Sequence, residues 1–262
     1  MKIYLAGQCP YPEAQAYAEE THKRFLYSYA YLKRKSLDDL RRQWHGQDIM
    51  LDSGGFTVRT RGGSIDIQAY RQFLLMLRRS FTVCINLDTA SPDESLRNQT
   101  FLEAGGRLKP MPVYHFSDWR SSEHRHLLQQ FLDEGYDYIG LGGVAGVNAA
   151  KEDFKRYFDF CFITVQKKAK LHGLGMTSAA TMRHYPFYSV DSKTWLVAGL
   201  YGDYVTTKNA RYRRTPKKKD SLAHYGVMLP GPEKMKRAVD AFNQLERHLT
   251  ALWAKRGYVW NS

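Results

Sequence analysis

Eight short apolar runs, separated by segments of helical period, predict an α/β fold, most simply a (β/α)8 TIM barrel in a single domain spanning residues 1–262. The runs are nearly continuous in hydrophobicity, not alternating, as expected of parallel strands covered on both faces. Length agrees, because 262 residues suit one closed α/β barrel, a fold that commonly reaches about 250 residues. A doubly wound open sheet is the competing arrangement of the same elements.

Lys2 to Ala6 opens the series as the first strand, and Asp48 to Asp52 is the second. Asp66 to Arg79 follows as a helix, since Tyr70, Phe73, Leu74 and Leu77 recur at spacings of three and four. Strands at Thr82–Asp88, Met111–His115 and Tyr138–Gly142 then alternate with helices at Asp93–Ala104, Glu123–Glu134 and Lys151–Lys170. Leu171–Met176, Phe187–Asp191 and Tyr201–Thr206 complete the set, the last as the eighth strand. Behind it, Lys208 to Lys219 (KNARYRRTPKKK) is a basic loop. Pro232 to Arg256 closes the outer layer as a C-terminal helix, with Met235, Ala238, Val239, Phe242, Leu245, Leu249, Leu252 and Trp253 on one stripe.

Composition narrows the function classes. The chain is 43% hydrophobic and 25% charged, which excludes a disordered polymer. No run of 18 apolar residues occurs, so no membrane span is expected. The short apolar stretch after Lys2 lacks the length of a signal peptide's hydrophobic region, and a cytoplasmic location is expected. Cys9, Cys84 and Cys161 are too few and too far apart for a disulfide framework or a metal knuckle, and read as buried thiols. A net charge of +13 suits a protein that approaches a polyanion, with nucleic acid the first candidate.

A barrel gathers catalytic residues at the carboxyl ends of its strands. Three acids occupy that place: Asp52 in LDSGGF, Asp88 in INLDTASPDES and Asp191 in FYSVDSKTW. A buried acid costs free energy unless it is partnered or used, though any one of them also fits a turn or helix cap. Glycines sit beside them, at Ser53-Gly54-Gly55, at Gly140 to Gly143 and at Gly173 to Gly175, where backbone can approach a flat ligand. Neither a GxxxxGK[ST] loop nor a GxGxxG turn opening a helix is present, which ranks nucleotide-binding α/β folds low.

These residues carry a resemblance. Asp52 to Phe56 resembles the DSGGF/Y motif of tRNA-guanine transglycosylases, and Ile139 to Gly143 resembles that family's glycine-rich strand. LHGLGM from Leu171 to Met176, followed by YPFYSVDSKTW from Tyr185 to Trp195, is similar to the shortened phage and mobile-element branch of DNA-guanine transglycosylases. The resemblance implies a barrel that exchanges guanine in DNA for a 7-deazaguanine, with an RNA-directed enzyme as the near alternative and a non-catalytic nucleic-acid-binding barrel as a third. It further implies Asp191 as nucleophile, with Asp203 as the fallback, and Asp52 as general acid/base. It implies Asp88 as reader of the purine edge, Ser53, Gly54, Gly142 and Gly143 as base-pocket lining, and Met176 as the surface on which the base stacks. The tRNA enzymes' zinc module of three cysteines and a histidine has no counterpart, since no cysteine follows Cys161.

The reaction requires such a set independently. Exchange at C1′ with retained configuration takes two displacements, so a carboxylate attacks the sugar as the base leaves. A base stacked inside a duplex must first be flipped out or presented on a single strand. Arg211, Arg213, Arg214, Lys217, Lys218 and Lys219, with Tyr212 among them, form the densest basic cluster, and Arg59 and Arg61 form a second. The first cluster fits a solvated loop equally well. No histidine pattern has metal-ligand spacing, so neither metal nor cofactor is expected.

Overall fold

The computed structural model describes residues 1–55, 58, 62–144, 149–176, 178–196 and 231–260, and the backbone of 204–208 and 211–215. In chain order its elements are β1 (Lys2–Ala6), α1 (Pro12–Thr21), β2 (Arg24–Ser28), α2 (Tyr29–Leu32), α3 (Leu37–Gln43), β3 (Asp48–Asp52), α4 (Ile67–Leu77), β4 (Val83–Cys84), α5 (Pro92–Glu103), β5 (Val113–His115), α6 (Phe116–Arg120), α7 (Leu127–Asp133), β6 (Tyr138–Gly142), α8 (Lys151–Val165), β7 (Lys170–Gly173), α9 (Ala179–His184), β8 (Ser189–Ser192), β9 (Tyr204–Lys208), β10 (Arg211–Thr215) and α10 (Gly231–Lys255). The alternation of helices with parallel strands makes this an α/β fold with TIM-like element order. Among the described residues no helix is long and apolar enough to cross a membrane. The chain divides into two compact units, one of residues 25–174 and one joining residues 1–24 to the chain from Gly175 onward.

In the 25–174 unit the strands follow one another in chain order from β2 to β7. The step from β4 to β5 is a parallel bridge of Ile85 to Met111, flanked by Asn86 N donating to Met111 O and Met111 N to Cys84 O. Helix α4 forms because Asp66 caps it, accepting from the amides of Gln68 and Ala69, while Tyr70, Phe73, Leu74 and Leu77 make one apolar stripe. All four are buried. Ser91 caps α5, and Pro92 presets its first turn.

In the other unit β1 and β8 pair in parallel, with Tyr4 opposite Asp191. Helix α10 lays a continuous apolar stripe against this unit, and burying each large side chain of such a stripe stabilises by roughly 1.5–3 kcal/mol. Polar contacts fix its register: Glu246 accepts from Ile3 N (2.8 Å) and pairs with Arg24 (2.7 Å). His22 spans Asn243 Oδ1 (2.7 Å) and Ile3 O (2.6 Å).

The expected strand at Tyr201–Thr206 requires correction. The observed strand starts at Tyr204 and pairs antiparallel with Arg211–Thr215 as a separate two-stranded sheet, Lys208 standing opposite Arg211. The eighth member of the parallel set is instead β2, in the segment RFLYS that carried no strand expectation. The expected basic loop at 208–219 is also strand over Arg211–Thr215. There Tyr212 and Thr215 have high β propensity, and the β-branched Val205, Thr206 and Thr207 lie on the paired strand. Several boundaries contract: Thr82–Asp88 shortens to β4 plus the Ile85 bridge, and Leu171–Met176 ends at Gly173. The stripe of α10 holds Ala241 in the buried set, while Leu252 is half-buried. The three cysteines are buried free thiols, as expected.

Candidate functional site

The 25–174 unit assembles its candidate site at the carboxyl ends of β3 to β6. Asp52 is the last residue of β3, half-buried, and its Oδ2 accepts from Gly54 N at 2.9 Å, closing a tight turn. Ser53 is fully buried, and its Oγ accepts from Gly55 N at 3.2 Å. Gly54 adopts φ +82°, and a Cβ there would stand 2.2 Å from Ser28 Oγ and 2.6 Å from Ala30 Cβ. Only glycine fits this close approach of the turn to the start of α2. A Cβ at Gly55 would lie 3.1 Å from Asp88 O, so the Asp52 turn abuts the segment that carries Asp88.

Asp88 lies beyond β4 and is 9% exposed. Side-chain hydrogen bonds from α5 fix the backbone around it: Asn98 Nδ2 donates to Leu87 O (2.8 Å), and Thr89 N donates to Ser95 Oγ (2.8 Å). Asn86 Nδ2 donates to Ser95 O (2.8 Å). Tyr70 joins the two acid-bearing segments from beneath, donating to Ile85 O at 2.8 Å with Leu51 O at 3.4 Å. Full burial pushes its phenol well above the ordinary value, so it remains a donor.

His115, the last residue of β5, completes the cluster. Its Nε2 is 2.8 Å from Asp88 Oδ2, and both side chains are largely buried. Asp88 Oδ1 has no hydrogen-bond partner among the described residues. The glycines at the end of β6 and just beyond it leave room for the imidazole: a Cβ at Gly142 would meet His115 Cε1 at 3.1 Å, and one at Gly143 (φ +73°) would meet Nδ1 at 3.2 Å. Asp118 holds the His115 backbone, accepting from its amide at 2.8 Å. Burial raises the Asp118 carboxyl above its ordinary value, against the lowering effect of that hydrogen bond.

Asp52, Ser53, Gly54, Asp88, Gly142 and Gly143 are thus gathered within one unit. The sequence reading missed His115 as a partner of Asp88; its position at a strand end, like that of the acids, was the available signal. Asp191 and Met176 belong to the other unit and are described by themselves. Asp191 lies within β8, 6% exposed, and its Oδ1 accepts from Gly175 N at 2.8 Å. Met176, one residue further, is buried. Arg59, Arg61, Lys217, Lys218, Lys219 and Asp203 lie outside the described residues. For Arg211, Arg213 and Arg214 only the β10 backbone is described.

The chemistry of this set is that of a carboxylate withdrawn from water, with one oxygen held beside an imidazole and the other without a hydrogen-bond partner among the described residues. A buried acceptor of this kind discriminates for a ligand that brings N–H groups, because a ligand without them leaves it unpaired. Among the described residues no group of three His, Cys, Asp or Glu side chains is placed to hold a metal ion. No family model matches the chain, and a comparison with curated proteins found no match.

Proposed function

We propose that the chain is a guanine transglycosylase whose eight parallel strands close into a (β/α)8 barrel, and that it exchanges guanine in DNA for a 7-deazaguanine. The observation that carries the reading is Asp88, a buried acid beyond a strand end with His115 on Oδ2 and no described hydrogen-bond partner on Oδ1, beside the Asp52-Ser53-Gly54-Gly55 turn. A guanine edge offers N1–H and an exocyclic amine to such an acceptor, whereas an adenine edge offers no N1–H. The glycine-lined edge at Gly142 and Gly143 supports close approach of a planar base.

In the first displacement an Asp191 oxygen forms a bond to C1′ while the bond from C1′ to guanine breaks, and Asp52 gives its proton to the departing base. In the second, the ring nitrogen of the 7-deazaguanine attacks C1′, the aspartyl ester breaks, and the incoming base's proton passes to Asp52. Such proton transfer contributes about 10² to 10⁴ in rate. Met176 serves as the stacking surface. The choice of DNA rests on the resemblance of Leu171–Met176 and Tyr185–Trp195 to the shortened branch. RNA is the alternative substrate.

The test is release of labelled guanine from DNA and from tRNA in the presence of a 7-deazaguanine. Release from DNA that disappears in both Asp191→Ala and Asp52→Ala is the expected result. Release from tRNA alone moves the reading to the RNA enzyme, and release from neither polymer overturns it.

A further inference from the structure

A second concavity of the 25–174 unit lies at the opposite ends of its strands from Asp88. It is a cleft of about 310 Å3 formed by the residues that lead into β4, β5 and β6. Tyr138 opens β6 at the cleft and Gly142 ends it beside His115. A strand of this length, at about 3.3 Å per residue, keeps the two places about 13 Å apart. The cleft is therefore distinct from the acidic site.

Its lining is basic and aromatic. Arg78 and Arg107 are both exposed, and neither forms a hydrogen bond or ion pair with a described residue. Lys109 Nζ donates to Gly135 O (3.2 Å) and stands 3.8 Å from Asp137 Oδ1, with side-chain exposures of 63% and 80%. An ion pair so exposed contributes little. Three cations thus face one carboxylate across a concave surface, an arrangement that concentrates positive potential. Guanidinium groups match phosphate oxygens in a two-pronged fashion and are less strongly hydrated than ammonium groups. The half-buried Phe81 and Tyr138 add ring surface beside them. The volume reaches the lower end of the range for small-ligand sites, about 300–1,000 Å3.

We propose that this cleft is a second binding site that takes a nucleotide unit, its phosphate on Arg78, Arg107 and Lys109 and its base against Phe81 and Tyr138. The site is independent of the exchange chemistry. Free nucleotides and the nucleotides of a strand share the recognised chemistry, and the test separates them.

Fluorescence anisotropy with a labelled twelve-residue oligothymidylate and calorimetry with AMP are applied to the full chain. The variant Arg78→Glu/Arg107→Glu is compared with Arg97→Glu/Arg156→Glu, an equal change of charge at exposed positions of α5 and α8. The cleft variant is expected to lose at least about tenfold in affinity and the other no more than about threefold, since the general charge term is shared. Arg107→Glu alone, at an exposed position, repeats the direction. AMP binding that is lost in the cleft variant identifies the free nucleotide, and loss for the oligonucleotide without AMP binding identifies the strand. Equal losses in the two double variants, or no binding of either probe to the wild type, overturn the proposal. Guanine release is scored separately, so the failure of one reading leaves the other standing.

Discussion

Gly54 shows how much of the site rests on single residues. Its φ of +82° disfavours any side chain, and a Cβ would collide with Ser28 Oγ and Ala30 Cβ at 2.2 and 2.6 Å. Gly46 has a similar φ of +73° but nothing within 4 Å of an added Cβ, so it isolates the backbone cost. Gly54→Ala is expected to cost about 2–4 kcal/mol in urea unfolding, and Gly46→Ala about 1 kcal/mol. Equal costs would show that the α2 contact is not what demands glycine. Asp118 allows a pH test with a defined sign. Its carboxyl in the fold titrates above the ordinary 3.8, chiefly through burial. Below that value both states are protonated and no penalty exists. As the pH rises from the ordinary value toward the folded one, the unfolded chain ionises first and stability falls, and it levels off above the folded value. Asp118→Asn keeps an acceptor for His115 N and removes the falling step. On going from about pH 4 to pH 7 the urea midpoint of the wild type should therefore fall relative to that of the variant.

At the scale of elements, what the sequence could and could not disclose follows from how each element is stabilised. Helix α4 was legible because its cap, Asp66, and its stripe of Tyr70, Phe73, Leu74 and Leu77 are local signals. Strand β2 was not, because RFLYS runs directly into YAYL, and the aromatic residues fit either period until neighbouring strands decide. Tyr204–Lys208 was misplaced because a β-branched run signals a strand without naming its partner, which here is Arg211–Thr215. In the site, the acids and glycines were legible as strand-end punctuation. The contact of His115 with Asp88 was not, since it joins positions brought together only by the order of β4, β5 and β6. The end of α8 was likewise hidden: Gln166 sits at φ 51°, ψ −102°, where a side chain is strained. Gln166→Gly is expected to stabilise by about 0.5–1 kcal/mol, the relief of strain exceeding the added chain entropy. A loss of stability in chemical denaturation would mean that the Gln166 side chain contributes more than its backbone costs.

At the scale of the whole molecule, 39 Lys and Arg against 26 Asp and Glu give a surplus of +13 that acts on folding and on binding with opposite sign. Within the folded chain the surplus repels itself, and added salt screens that repulsion over about 8 Å at physiological ionic strength. Raising NaCl from about 50 to 200 mM should therefore stabilise the fold by on the order of 1 kcal/mol, or about 2–4 °C in Tm for a chain of this size. Toward nucleic acid the same surplus is attractive and works by releasing condensed counterions, so the same salt increment should weaken binding. For five neutralised phosphates the loss is about 500-fold on duplex DNA, with a shallower slope on a single strand. Thermal unfolding and anisotropy titrations on one salt series measure both effects. If Tm rises while affinity stays flat, the surplus serves solubility alone and the polyanion reading fails. If affinity falls with a slope nearer the single-strand value for both polymers, the bound form is an opened strand, which is the state that exchange at C1′ requires.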